Sequence, residues 1–170
     1  MTYLIDLFSP ETYEAFSKSK RDISGFRIGQ QMAADRVKVG DKFICYMTKL
    51  SRWIGMLEVT SSWFKDETPL FYSNDDPFVI RFHVRSLAWL ERHKCVPIRE
   101  DAVWNALSFT RESDKGSSQW TGSLRSSLRP IDDADGQFLE ALITRQAPGP
   151  KSELIISGHP RPSARKPQPR

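Results

Sequence analysis

The sequence predicts an α+β domain, a small β-barrel of about five to six strands flanked by helices. Short apolar segments between turn signals indicate the strands, and a hairpin pattern over residues 36–59 is the clearest of them. Capping signals at Ser9 and Asp132 indicate helices towards both ends. The chain has 170 residues, 39% of them hydrophobic, which is enough to bury one core without disulfides or a structural metal.

The first part of the chain predicts a strand, a helix and a hairpin. Residues 3–7 form an apolar strand. Ser9-Pro10-Glu11 then supplies an N-cap, a proline for the first turn and an early acid, for a helix that ends near Ser19. Residues 22–36 predict a loop and a short helical piece. The hairpin follows, with strands at 43–47 and 53–61.

The second part of the chain predicts one more long strand. A polar loop at 65–76 leads to a strand at 78–84, where apolar and polar residues alternate from Ile80 onward. The segments that follow are a short strand at 95–98, helical turns at 101–107 and a polar loop at 110–122.

A helix closes the predicted domain. It starts at Asp132 with an acidic first turn and carries apolar residues at helical spacing. We place the domain at residues 1–145. We interpret residues 146–170, which are rich in proline and basic residues, as a linker or tail. Such a linker suggests an effector domain fused beyond residue 170 or supplied by a partner protein.

The sequence lacks the residue patterns of common catalytic and metal sites. Its three histidines do not have metal-ligand spacing, and it contains no Gly-rich phosphate loop, no G-x-S-x-G and no C-x-x-C. The acidic residues at 132–135 are typical of a helix N-terminus. We therefore predict a binding domain and not an enzyme, with no cofactor and no metal ion.

Cysteine usage and hydropathy favour a soluble, cytoplasmic protein. Cys45 and Cys95 lie far apart, and Cys45 is inside an apolar strand, as expected of reduced thiols. No basic leader precedes the first strand, and no apolar run approaches the ~20 residues that a bilayer requires.

The net charge of +4 suggests a nucleic-acid partner, but its distribution matters more than its total. Residues 146–170 hold five of the 25 basic residues and one of the 21 acidic ones, so the rest of the chain is balanced. Phosphates would therefore have to be bound by local clusters. The candidates are Lys20, Arg21, Lys49, Arg52, Arg125 and Arg129.

Aromatic residues are the remaining candidates for a binding site. Tyr46 and Trp53 flank the hairpin turn, where flat side chains could hold a flat ligand. Trp89 and Trp104 have apolar neighbours and are expected in the core. Tyr72 and Trp120 occur in polar segments, where either packing or ligand contact would explain a large ring.

Three segments together resemble the EVE domain, a member of the PUA-like superfamily and a relative of YTH domains. These are Ser24-Gly25-Phe26-Arg27, the hairpin from Arg36 through Val59 and the stretch from Trp120 through Ile131. The resemblance spans residues 3–145. It implies a barrel with a pocket for a single modified base.

The resemblance also implies which residues line that pocket. Ser24, Gly25 and Phe26 would lie in a pocket loop, Tyr46 and Trp53 on its strands, and Tyr72 near a cage aromatic of YTH domains. Trp120 completes the predicted base-binding set. Many EVE sequences have Trp where this chain has Ser24, so either one wall of the pocket comes from elsewhere in the chain or the pocket itself differs.

The predicted function is therefore recognition of a modified base of DNA, such as 5-methylcytosine, 5-hydroxymethylcytosine or N6-methyladenine, by base flipping into an aromatic pocket. The domain could be the sensor of a modification-dependent restriction or defence protein. The alternatives are an RNA-binding PUA-like or YTH-like module and an interaction barrel with no nucleic-acid partner. No membrane contact is expected.

Overall fold

One curled sheet of seven strands organises the protein in a computed structural model that describes residues 1–71 and 77–148. The strand order is β1-β3-β4-β6-β2, with β5 paired to β6 and β7 paired to β4. β1 runs parallel to β3, and the other strand pairs are antiparallel. The strands are β1 Tyr3–Phe8, β2 Ile23–Phe26, β3 Lys42–Met47, β4 Arg52–Val59, β5 Phe64–Lys65, β6 Ile80–Trp89 and β7 Val96–Pro97.

Helices lie around this sheet. The α-helices are α1 Pro10–Lys18, α2 Gln31–Ala34, α3 Asp101–Trp104 and α4 Asp133–Gln146, and the 3-10 helices are Ile28–Gln30, Arg92–Lys94 and Gln119–Leu124. α1 begins as predicted, because the Thr12 amide donates to Ser9 Oγ at 3.1 Å and the Ser9 amide donates to Thr12 Oγ1 at 2.8 Å. None of the helices in the described ranges has the length and hydropathy needed to cross a membrane.

Polar contacts attach α4 to the sheet. The Tyr3 hydroxyl donates to Glu140, and Lys42 Nζ lies 2.7 Å from Glu140 Oε1. Burial, together with the Glu140 carboxylate, raises the pKa of Tyr3 to about 12. At the start of the helix, Asp135 Oδ1 accepts the Ser108 amide at 2.9 Å. These contacts tie β1 and β3 to the C-terminal part of the domain.

Aromatic side chains fill the core. The Trp89 ring stacks on Tyr13, with centroids 5.6 Å apart and planes at 20°. Trp104 is also buried, so the core positions predicted for both tryptophans are confirmed. Strand β6 lies close against Gly55 of β4, because a Cβ on this residue would lie 2.5 Å from Trp89 Cε3.

The predicted fold class is confirmed. The two-residue strand β5 was not predicted, and two larger differences concern β2 and β6. Residues 23–26 form β2 where a loop was predicted, and β6 continues to Trp89 where the prediction ended at 84. Both differences arise from long-range pairing, since β2 pairs with β6, and the end of β6 pairs with β4. The boundary at residue 145 stays a prediction. α4 continues through Gln146, and residues 149–170 lie outside the described residues.

Candidate functional site

A cavity of about 270 Å³ opens where the two ends of the sheet approach each other. β1 and β2 stand at opposite ends of the strand order, and both line the cavity. Instead of a backbone ladder, a side-chain hydrogen bond joins them, from Ser24 Oγ to Asp6 Oδ2 at 2.7 Å. We call this space the seam cavity.

Phenylalanines form the apolar wall of the seam cavity. Phe26 comes from β2, and Phe71 and Phe78 come from the segments on either side of residues 72–76. The Phe71 and Phe78 rings are 5.8 Å apart and meet edge to face at 64°. Gly25 leaves room for this wall, because a Cβ there would lie 2.9 Å from Phe78 Cβ. Half-buried rings beside a cavity can stack on a flat ligand.

The polar part of the cavity is centred on Asp6. This residue is 2% exposed, and burial raises the pKa of its carboxyl to about 7, although the Ser24 hydrogen bond acts in the opposite direction. Cys45 pairs with Asp6 in the β1–β3 register. Burial, reinforced by Asp6, raises the pKa of the Cys45 thiol well above its usual range, so the thiol stays protonated.

The rim of the cavity is polar and positively charged. Gln30 Nε2 donates to Ser126 Oγ at 3.2 Å, which links the segment after β2 to the loop before α4. Arg27 and Arg125 are exposed and lie on these same two segments. The Arg27 guanidinium also sits 5.5 Å from the centre of the Phe78 ring. Two arginines at the mouth of an aromatic cavity suit a ligand that carries phosphates outside a flat group.

The predicted base-binding residues divide into two groups. Ser24, Gly25 and Phe26 line the seam cavity, although in a strand and not in a loop. Tyr46 and Trp53 are 3% and 0% exposed, and their rings pack edge to face at 62°. They are therefore in the core and not at the barrel opening, where they were predicted.

Coverage by other segments explains that difference. β7 pairs with Arg52 and Trp53 and covers the end of the hairpin, which the local sequence does not reveal. Trp120 is likewise buried, edge to face with Trp104 at 5.2 Å. Tyr72 lies outside the described residues. The base-binding roles assigned to these four aromatic residues stay predictions.

Of the six predicted phosphate-binding residues, Arg125 is the one that lines the seam cavity. Three others donate to backbone carbonyl oxygens: Arg21 to Ser17 at 3.1 Å, Arg52 to Cys95 at 3.3 Å and Arg129 to Gly122 at 3.0 Å. Lys20 and Lys49 are exposed and do not line the cavity. Their roles also stay predictions.

Sequence reasoning missed Asp6, Arg27, Gln30, Phe71 and Phe78 as site residues. Asp6 had a usable signal, because an acid inside the apolar run Leu4-Ile5-Asp6-Leu7 must either face solvent or find a polar partner when buried. Phe71 and Phe78 had no such signal, since only the tertiary fold brings them to the cavity. Within residues 1–71 and 77–148, no cluster of His, Cys, Asp or Glu could hold a metal ion.

The curled sheet and its seam cavity define an α+β domain with an aromatic-walled cavity. The family model described as the EVE domain matches residues 8–142. The chain therefore belongs to the EVE domain family. A comparison with curated proteins finds no match.

Solved structures support the fold at low sequence identity. The YTH domain of Pho92, solved in complex with m6A, has a TM-score of 0.60 at 12% identity, over 84% of this chain and 83% of that chain. The YTH domain of Zygosaccharomyces rouxii MRB1, in complex with N6-methyladenosine RNA, has a TM-score of 0.56 at 13% identity, over 84% and 87%. Rpa0253 from Rhodopseudomonas palustris has a TM-score of 0.52 at 11% identity, over 84% and 93%.

Proposed function

We propose that this EVE domain binds nucleic acid and holds one modified base in the seam cavity. The observation that carries the proposal is the combination of half-buried phenylalanines, a buried acid and two rim arginines around a single space of about 270 Å³. This volume is near the lower end of the roughly 300 to 1,000 Å³ typical of ligand pockets, so it suits one small flat group.

Flipping of a base out of a duplex would explain why the cavity has an aromatic wall and a positively charged rim. Removing a base from a duplex requires a few kcal/mol, which stacking at about 1 to 3 kcal/mol per base and hydrogen bonds to the base edge can offset. Phe71 and Phe78 would supply the stacking, and Asp6 and Ser24 the edge contacts. Arg27 and Arg125 would bind the flanking phosphates, which makes the affinity depend on salt.

Recognition of the modification itself needs more than a methyl contact. Burial of one methyl group contributes about 0.8 kcal/mol, so strong discrimination requires an edge contact that the unmodified base makes poorly. We propose a modified base of DNA, such as 5-methylcytosine, 5-hydroxymethylcytosine or N6-methyladenine. In this role the domain is a sensor, and any catalytic step belongs to a fused or partner effector.

Methylated RNA is the second candidate. Two of the solved YTH domains of the same fold are described as complexes with m6A or N6-methyladenosine RNA, which favours this option. DNA and RNA readers differ in whether contacts to the 2′-hydroxyl contribute to affinity.

A matched binding panel tests both candidates. Duplex DNA, single-stranded DNA and single-stranded RNA of one sequence, each with and without one modified base, are titrated against the domain at low and moderate salt. The expected result is tighter binding of one modified form than of its unmodified twin. Absence of binding to every oligonucleotide at low salt would instead favour an interaction barrel without a nucleic-acid partner.

Two variants test whether the seam cavity is the binding site. Phe78→Ala removes a stacking wall and is expected to weaken binding of the preferred oligonucleotide by about 1 to 3 kcal/mol. Arg125→Gln is expected to weaken modified and unmodified forms alike and to reduce the salt dependence.

Arg111→Gln is the matched control for the arginine variant, because Arg111 is exposed and does not line the cavity. If both arginine variants have the same effect, or Phe78→Ala folds and binds like wild type, the seam cavity is not the base site.

A further inference from the structure

Asp6 is the one carboxylic acid among the described residues that line the seam cavity. Its Oδ2 atom accepts the Ser24 hydroxyl at 2.7 Å, and Oδ1 has no hydrogen-bond partner among the described residues. The side chain is therefore fixed in orientation by β2, with one carboxyl oxygen left for a molecule in the cavity. Ser24 positions this carboxyl.

The charged and titratable groups around Asp6 do not neutralise it. Cys45 faces it from β3, where burial keeps the thiol protonated, and Ser24 faces it from β2. Arg27 and Arg125 line the same cavity, but both are exposed at the rim. Asp6 forms no ion pair with any residue in the described ranges.

We propose that Asp6 contacts the bound base as a neutral carboxylic acid and acts as a specificity-determining hydrogen-bond donor; this inference rests on the function proposed above. Because Oδ2 accepts the Ser24 hydrogen, the acid proton lies on Oδ1. Oδ1–H then donates to an acceptor on the edge of the base, and Oδ2 accepts a neighbouring N–H through its second lone pair.

This arrangement defines the class of base. The edge must place an acceptor next to an N–H donor, as the ring nitrogen and exocyclic amino group of adenine and cytosine do. A single methyl on the amino group keeps one N–H for Oδ2, whereas two methyls remove it. An ionised Asp6 would instead place a negative charge opposite the lone pair of the ring nitrogen, and the two would repel each other. Binding of the base therefore requires the protonated form of Asp6.

The proton requirement gives the first test. Affinities of short single-stranded RNA and DNA oligonucleotides, each with one central N6-methyladenine, are measured at pH 6 and pH 8. If only the neutral acid binds, and Asp6 titrates at about 7, the affinity falls roughly tenfold between these values. Oligonucleotides with N6,N6-dimethyladenine are expected to bind more weakly than the monomethyl form at pH 6.

Two conservative variants separate this mechanism from a structural role. Asp6→Asn offers one donor and one acceptor in the same shape, so binding is retained and is equal at pH 6 and pH 8. Ser24→Ala removes a hydrogen bond that lowers the pKa of Asp6, so the loss of affinity begins at higher pH. In that variant the fall between pH 6 and pH 8 is smaller than in wild type.

The outcomes are distinguishable. If oligonucleotides bind but the wild-type affinity is flat or rises from pH 6 to pH 8, the neutral-acid contact is wrong and the proposed function stands. Loss of binding in a folded Asp6→Asn at pH 6 leads to the same conclusion. If no oligonucleotide binds at either pH, both proposals fall. Carbon-13 NMR titration of the free protein is independent of ligand, and an Asp6 midpoint near 4 overturns the inference.

Discussion

At the scale of single residues, burial separates the aromatic side chains that build the core from those that can contact a ligand. Trp53 is fully buried and packs edge to face on Tyr46, whereas Phe71 and Phe78 are half-buried beside the seam cavity. Both groups are aromatic residues next to turns, so the sequence pattern is the same. The two groups differ in burial because other segments of the chain cover the end of the hairpin.

Trp53→Ala is expected to destabilise the domain. Removal of a fully buried indole lowers the free energy of unfolding by about 3 to 5 kcal/mol, as measured by urea denaturation. Trp63→Ala is the matched control, since Trp63 is half-buried and donates from Nε1 to Asp35 at 2.7 Å. Its loss should be about 1 kcal/mol. A folded Trp53→Ala of wild-type stability that fails to bind oligonucleotides would restore Trp53 to the site.

Residue types predicted part of the candidate site. Ser24, Gly25 and Phe26 were found through the family resemblance and Arg125 through the clusters of basic residues, and all four line the cavity. Asp6 was overlooked because an acid in an apolar strand can be read as a solvent-facing residue. Its contact with Ser24 of β2 depends on the closure of the sheet, which no local pattern encodes.

At the scale of elements, local signals were reliable where the interacting residues are close in sequence. α1 was predicted from the cap at Ser9, and the hairpin from two adjacent apolar strands. β2 was missed because it has four residues, two of them Ser and Gly, and gains its hydrogen bonds from β6. Its formation depends on a partner far along the chain, so propensity within the segment carries little information.

Gly55→Ala tests the contact between the central strands. The added Cβ would lie 2.5 Å from Trp89 Cε3 and 2.8 Å from the Ala88 carbonyl oxygen, so β4 and β6 must move apart locally. We expect a loss of about 1 to 3 kcal/mol in the free energy of unfolding, measured by denaturation.

Gly29→Ala provides the comparison for this substitution, because nothing lies within 4 Å of an added Cβ there. That variant is expected to be neutral or slightly more stable, through the entropy of the unfolded chain. Equal losses in the two variants would show that glycine flexibility, and not the β4–β6 contact, determines the effect.

At the scale of the whole molecule, the ionisation of Asp6 links stability to pH. The carboxyl titrates at about 7 in the folded protein, whereas an unperturbed aspartate, as in the unfolded chain, has a pKa of 3.8. Well below pH 3.8 both states are protonated and there is no penalty. As pH rises, the unfolded state ionises first, so folding loses stability until the folded carboxyl also ionises near pH 7.

Asp6→Asn is expected to remove this penalty. The variant should differ little from wild type near pH 4 and exceed it at pH 8 by on the order of 4 kcal/mol, an upper value that relaxation around the charge reduces. Thermal and urea unfolding at both pH values measure the difference between the proteins, in which other titrating groups cancel. If Asp6→Asn is more stable than wild type by the same amount at both pH values, the raised pKa of Asp6 is contradicted.

The gap between β1 and β2 has a practical consequence. These strands are joined by the Asp6–Ser24 side-chain hydrogen bond and not by strand pairing. A molecule bound there would therefore link β1 to β2 and stabilise the folded state. A ligand present at a hundred times its dissociation constant raises the free energy of unfolding by about 2.7 kcal/mol. Free nucleosides could therefore be ranked by the rise in melting temperature they produce, without any polymer or label.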